Sequence, residues 1–283
     1  MQIRNIAVFG AGTMGHGIAQ VSAMAGYKVT LFDIAQEPLD SGLQKIKANL
    51  QKGVDKGKIT SAQQTTAIQN ITVTTSMETA CADADLTIEA IPEKLEMKKN
   101  LLQKIDSLTG EKTIIASNTS SISIETIAQF VADPSRVIGA HFFNPVHIMK
   151  LLEIVYHPTT DASVITAIQD YGKKIEKETI LVKNTPGFAT SRLGVALGME
   201  AIRMLEEGVA SAEDIDKAMV LGYKHPIGPL KLTDLVGIDV RMHIGEYLSE
   251  KLNNPAFSPP KLMRDKVAQG KLGKKTKEGF YRW

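Results

Sequence analysis

The sequence is poor in several features, and each shortage excludes something. Its 283 residues include one cysteine, Cys81, so no intramolecular disulfide can form and a reducing compartment is expected. Cys81 sits in Thr79-Ala80-Cys81-Ala82-Asp83 without the spacing of metal ligands, so it reads as inert and no metal site is expected. No run approaches the ~18 apolar residues of a membrane-crossing helix. The net charge of +2 supplies no general attraction for nucleic acid or a membrane surface. The first residues lack the long apolar core and cleavage site of an export signal, so a cytoplasmic location is expected. Internal repeats and low-complexity segments are also missing.

What is present suits a soluble α/β protein of about two domains. Ile6-Ala7-Val8-Phe9 reads as a strand. Gly10-Ala11-Gly12-Thr13-Met14-Gly15 follows at once, and a helical pattern then runs to Ala25, with Gly26 as its stop. Val29-Thr30-Leu31-Phe32 is a second strand ending at Asp33. A Gly-x-Gly-x-x-Gly motif alone is weak evidence. Between a strand and a helix, with an acid after the next strand, it is a dinucleotide fingerprint. Gly10 permits the tight turn, Gly12 lets the backbone approach a pyrophosphate, and Gly15 allows close helix–strand packing. The helix N-terminus favours the phosphates. Asp33 would accept from ribose hydroxyls and repel a 2′-phosphate, so NAD rather than NADP is expected.

A long helix is predicted over about Glu37 to Lys58, with Lys45, Lys52 and Lys56 on one face. That face is either solvated or a docking edge for an anion. Strands are predicted at Ile71–Thr74, Leu86–Ile91, Thr113–Ala116 and Val137–Ala140, alternating with helices. This alternation predicts a doubly wound, mostly parallel Rossmann-like sheet. The glycine loop, Glu93, Ser117–Ser120 and His141 all fall at strand C-termini, where such sheets bind ligands.

His141 and Glu153 each sit in an apolar, strand-like run, with the turn signal Asn144-Pro145 between them. A fold-back near His147 would set Glu153 opposite His141, the arrangement of an imidazole oriented by a carboxylate for acid/base work. A structural salt link or an edge-facing Glu153 is the plainer reading. His16, His147, His157, His225 and His243 read as turn or surface residues. A break at Asn184-Thr185-Pro186-Gly187-Phe188 separates a domain of residues 1–184 from an all-helical domain of residues 185–283. In the latter, Ser211-Ala212-Glu213-Asp214 has the form of a capping box. The helical domain would complete a cleft or form a dimer interface.

With these residues in view, the chain resembles the 3-hydroxyacyl-CoA dehydrogenase family, in particular its short bacterial 3-hydroxybutyryl-CoA members. The resemblance rests on the glycine loop, Ala116–Ser121, His141-Phe142-Phe143-Asn144-Pro145, Met149–Glu153, Thr185-Pro186-Gly187-Phe188 and Gly273–Tyr281. It implies NAD-linked interconversion of an (S)-3-hydroxyacyl-CoA and a 3-ketoacyl-CoA. By resemblance, His141 is the catalytic histidine, Glu153 its orienting glutamate, and Ser120 the serine that bonds the substrate oxygen. Asp33, Glu93, Lys98, Ser120, Asn144 and Lys275 match cofactor contacts. Lys56 matches a lysine that meets CoA, and Lys52 lies one helical turn away. The family also implies a homodimer through the helical domain.

One position departs from the family pattern. Gly187-Phe188-Ala189-Thr190-Ser191-Arg192 carries Ser191 where Asn is common, and that Asn helps hold the substrate. Serine is shorter and offers one donor rather than an amide pair. Either a water fills the gap or the substrate is held differently, which leaves chain-length preference open. Two other functions share the fold: an NAD-linked dehydrogenase of a free hydroxy acid such as L-gulonate, and a non-catalytic, crystallin-like NAD-binding protein.

Overall fold

The structure, a computed structural model, describes residues 2–283. The chain forms two compact units, one ending at Asn184 and the other spanning Thr185–Trp283. In the first, the strands are β1 (Asn5–Phe9), β2 (Lys28–Phe32), β3 (Ile71–Thr74), β4 (Leu86–Glu89), β5 (Ile114–Ser117), β6 (Val137–Phe142), β7 (Leu151–Tyr156) and β8 (Glu178–Lys183). They form one sheet in the order β3-β2-β1-β4-β5-β6-β7-β8. Every neighbouring pair is parallel except β6 and β7. The helices between them are α1 (Gly15–Met24), α2 (Gln36–Asp55), α3 (Ser61–Gln69), α4 (Met77–Cys81), α5 (Leu95–Leu108), α6 (Ile124–Ala128) and α7 (Ala162–Lys174).

Burial explains the composition of the strands. Every residue of β4, β5 and β6 is buried. A parallel strand covered on both faces needs a continuous apolar run rather than an alternating one. Val8, Ile18, Leu31, Leu39, Ile46 and Ile88 from sheet and helices pack into a single core. Truncating one of these leucines or isoleucines to alanine would cost about 2–5 kcal/mol. The strand order reverses between β1 and its neighbours β2 and β4. Reversal opens a crevice at the strand C-termini, where α/β sheets bind ligands.

Local chemistry places the helix starts. Side chains of Ser76, Ser123 and Asp161 accept a backbone N–H in the first turns of α4, α6 and α7. Thr60 and Gln63 form a reciprocal capping box that opens α3. Neither α3 nor α4 was expected from periodicity, and the helix predicted to reach Lys58 ends at Asp55. Cys81 is buried, and desolvation pushes its thiol up to about 11, so it stays a protonated packing residue.

The second unit holds α8 (Thr190–Glu206), α9 (Ala212–Lys217), α10 (Pro229–Val236), α11 (Ile238–Leu252) and α12 (Lys261–Ala268). Its separate core includes Val195, Met199, Ile202, Leu230, Leu248 and Met263. At α9 the Ser211 hydroxyl accepts from the Asp214 N–H as predicted. The return arm differs, because that hydroxyl donates to the Asp214 carboxylate. Aspartate is one methylene shorter than the Glu of a full box. Asp234, fully buried, ties down the last residues by accepting from the Phe280 and Tyr281 N–H groups and the Trp283 indole.

Candidate active site

Strands β6 and β7 form the antiparallel hairpin that brings His141 level with Glu153. The His141 Nδ1 lies 2.8 Å from a Glu153 oxygen. Glu153 is fully buried and His141 nearly so. A carboxylate inside an apolar strand is costly unless paired, so the pair fixes both the tautomer and the direction of the ring. Phe143 packs against the imidazole, with ring centroids 4.5 Å apart. Two further clamps hold the hairpin. The Asn118 side-chain carbonyl accepts the Phe142 N–H at 2.8 Å, linking the ends of β5 and β6. The buried Lys177 ammonium donates to the Val146 and Met149 carbonyls at 2.6 and 2.7 Å, pinning the turn that follows Asn144. Burial pushes the Lys177 amine below its ordinary value, against the opposing charge of Glu176.

The three glycines of the first loop have different reasons to be glycine. Gly10 has φ +99°, and a Cβ there would sit 2.8 Å from the Ala90 carbonyl oxygen. At Gly15 a Cβ would overlap the Gly10 carbonyl. Protein packing therefore demands both. At Gly12 a Cβ would meet no protein atom within 4 Å, so the fold itself does not demand glycine. A bare backbone at the mouth of α1 is what close approach of a phosphate requires. The Ala11 N–H donates to one oxygen of Asp33 at 2.8 Å, so the acid that ends β2 also braces the loop. The His16 ring lies 2.6 Å from the Gly12 carbonyl. These residues fit an NAD-type cofactor.

At the ends of β4 and β5 lies a polar cluster. One oxygen of Glu93 accepts from the Thr119 hydroxyl at 2.5 Å, the Ser121 hydroxyl at 2.9 Å, and the Ser120 and Ser121 N–H groups at 3.1 Å each. Its other oxygen is 3.2 Å from the Lys98 ammonium. Burial raises the Glu93 carboxyl, but Lys98 and the Thr119 and Ser121 hydroxyls outweigh it and hold it below the usual carboxylate range. Ser120 itself is exposed.

A cavity of about 630 Å³ opens beside α2, lined by Lys52, Lys56, Lys58, His147, Lys150 and Lys174 among others. The sequence-predicted Lys52 and Lys56 thus share one basic recess. Burial, then the charges of His16, Lys177 and Lys52, push the His147 imidazole below its ordinary value. In the helical unit, Lys275 pairs with Asp239 at 2.6 Å, and Ser191 lies in the first turn of α8. One turn on, the nearly buried Arg241 donates to the Gly194 carbonyl. Burial lowers that guanidinium to about 10. No cluster of metal-ligating side chains occurs among the described residues. No helix of the described residues is long and apolar enough to cross a membrane.

Comparison with known proteins decides the family. Residues 5–185 match the 3-hydroxyacyl-CoA dehydrogenase NAD binding domain, and residues 187–283 match the C-terminal domain of the same family. The chain belongs to the 3-hydroxyacyl-CoA dehydrogenases. It is 40% identical to the probable 3-hydroxybutyryl-CoA dehydrogenase of Bacillus subtilis, covering 99% of this chain and 98% of that one. It is 40% identical to the mitochondrial hydroxyacyl-coenzyme A dehydrogenase of Rattus norvegicus, covering 99% and 91% respectively. Among solved structures, the (S)-3-hydroxybutyryl-CoA dehydrogenase of Ralstonia eutropha superposes with a TM-score of 0.97 at 40% identity, covering 100% of this chain and 99% of that one. The protein is accordingly an NAD-dependent 3-hydroxyacyl-CoA dehydrogenase.

Within this dehydrogenase, several polar residues escaped sequence reasoning. Glu89 forms a buried group with Lys98 and Ser117, and it carries the same signal that singled out Glu153, an acid inside an apolar strand. His157 opens a turn as expected but is buried there, and its ring meets the Pro134 carbonyl at 3.1 Å. His16 is half-buried against the glycine loop rather than a plain surface residue. For His157 the cause is tertiary, since Pro134 lies in the loop before β6, whereas His16 reaches only four residues back to Gly12.

Proposed function

We propose that the enzyme interconverts (S)-3-hydroxybutyryl-CoA and acetoacetyl-CoA, with His141 as acid/base and Glu153 as its orienting partner. The observation that carries this reading is the 2.8 Å contact between His141 and a fully buried Glu153 at the end of β6. With Nδ1 committed to Glu153, Nε2 is assigned to the substrate oxygen. In oxidation His141 takes the 3-hydroxyl proton, and in reduction it returns a proton to the 3-keto oxygen. Glu153 stabilises the imidazolium formed on the way. General acid–base help of this kind contributes roughly 10²–10⁴-fold. The exposed Ser120 hydroxyl donates to the same substrate oxygen.

Gly10–Gly15 and Asp33, with Glu93 and Asn144, would hold NAD, which would supply the hydride acceptor for C3. Asp33 receives the ribose hydroxyls and disfavours a 2′-phosphate. Lys52 and Lys56, in the basic cavity, receive a CoA phosphate. The cavity favours a CoA ester over a free hydroxy acid such as L-gulonate, which carries no phosphate. The helical unit pairs two subunits. Leu193, Leu221 and Tyr223 are 71%, 77% and 76% exposed there, which supports an apolar contact between copies.

Steady-state kinetics on acetoacetyl-CoA with NADH, beside L-gulonate with NAD, test the reading. Turnover of the CoA ester with little on the free acid is expected. The reverse preference would refute it.

A further inference from the structure

We infer that Glu89 is a positioning residue for the loop that carries Ser120, acting through Lys98 and Glu93. This rests on the dehydrogenase reading above. Glu89 ends β4 and is fully buried, and Lys98, in the first turn of α5, is 1% exposed. The Lys98 ammonium donates to both Glu89 oxygens, at 2.6 and 2.8 Å. Its third close oxygen is that of Glu93 at 3.2 Å. An ammonium has three donors, and three carboxylate oxygens surround this one. Lys98 therefore ties the Glu89 carboxylate to that of Glu93.

The far side of the network closes on the loop from both ends. Glu89 accepts from the Ser117 hydroxyl, which in turn accepts the Thr119 N–H at 3.2 Å. Glu93 gathers the Thr119 hydroxyl and the Ser120 and Ser121 N–H groups on one oxygen. The backbone of residues 117–121 is thus hung between two carboxylates that share one lysine. A buried ion pair is a weak source of stability, because well-packed apolar residues often replace it without loss. Its effect here is geometric. It fixes where the Ser120 hydroxyl stands, and a misplacement of about 1 Å in a positioning group costs on the order of 10²-fold in rate.

The test uses the full chain and the variants Glu89→Gln, Ser120→Ala and their combination. It reads kcat and KM on acetoacetyl-CoA, NADH binding by fluorescence, thermal stability, and amide exchange at residues 120 and 121. Glu89→Gln should lower kcat at least about tenfold with NADH still bound, and the two amides should lose protection. Ser120→Ala should cost less in the Glu89→Gln background than alone, since groups acting through one element are non-additive. If Glu89→Gln folds poorly, the charge-neutral pair Glu89→Gln with Lys98→Met should regain thermal stability without regaining kcat. Wild-type kcat, or effects of Glu89→Gln and Ser120→Ala that simply multiply, would overturn the inference. A wild-type enzyme inert toward every 3-ketoacyl-CoA would instead overturn the dehydrogenase reading. Amide protection unchanged by Glu89→Gln would then still refute the positioning role separately.

Discussion

Gly10 and Gly12 stand two residues apart, and an added methyl group meets a different fate at each. At Gly10 the backbone has φ +99°, and a Cβ would press on the Ala90 carbonyl at 2.8 Å. Left-handed backbone costs an L-residue about 1–2 kcal/mol, and overpacking typically another 1–3 kcal/mol. Gly10→Ala should therefore lose roughly 2–5 kcal/mol of stability. Gly12 is not among the positive-φ glycines, and its Cβ direction is open. Gly12→Ala should be neutral, or gain about 0.4–1 kcal/mol because alanine has less unfolded-state entropy to lose. Its cost should fall on cofactor affinity alone. A methyl between backbone and pyrophosphate that weakens NADH tenfold or more corresponds to at least about 1.4 kcal/mol. Urea denaturation gives the stabilities and NADH fluorescence titration gives the Kd. Wild-type NADH affinity in a folded Gly12→Ala protein would refute the assignment of this loop to the phosphates.

Three further outcomes follow from the same structure. Lys56→Ala should raise KM for acetoacetyl-CoA about five- to tenfold at low salt, with kcat and NADH affinity little changed, and the difference should shrink at high ionic strength. A KM unaffected at low salt would remove Lys56 from the CoA site. Asp33→Ser should weaken NADH and narrow the preference over NADPH, read as the ratio of kcat/KM values; an unchanged ratio would contradict the ribose role. Burial lowers the His157 imidazole, against the opposing carbonyl bonds of Pro134 and Val137. Below pH ~6.5 the unfolded chain binds a proton that the folded chain does not, so stability should fall as pH drops through that range. The fall should end once pH passes the lower folded value, and His157→Gln should flatten it in urea melts taken from pH 7 to 5; an unaltered slope would sink this account.

The fold was largely legible because its decisive signals are local. An apolar run, a glycine loop, a helix and a terminal acid lie within about 30 residues, and each imposes its own backbone. The His141–Glu153 register was readable because a hairpin makes a distant pair local. Helix α3 was missed although its capping box, Thr60 with Gln63, stands in the sequence, since only Ala67 on it is buried and apolar periodicity is weak. Glu89 was passed over because its partners Lys98 and Ser117 come from the next helix and the next strand. Lys177 caps carbonyls in a turn 28 and 31 residues earlier. Such pairings depend on where α5 and β8 dock, and no nearby residue announces that.

The central claim is that His141, held by Glu153, moves the proton. The most direct measurement is kcat on acetoacetyl-CoA at saturating NADH for wild type, His141→Gln and Glu153→Gln, with the NADH Kd taken on the same samples. The account predicts losses of roughly 10²–10⁴-fold in both variants and an unchanged Kd. Turnover near wild type in either folded variant would contradict it.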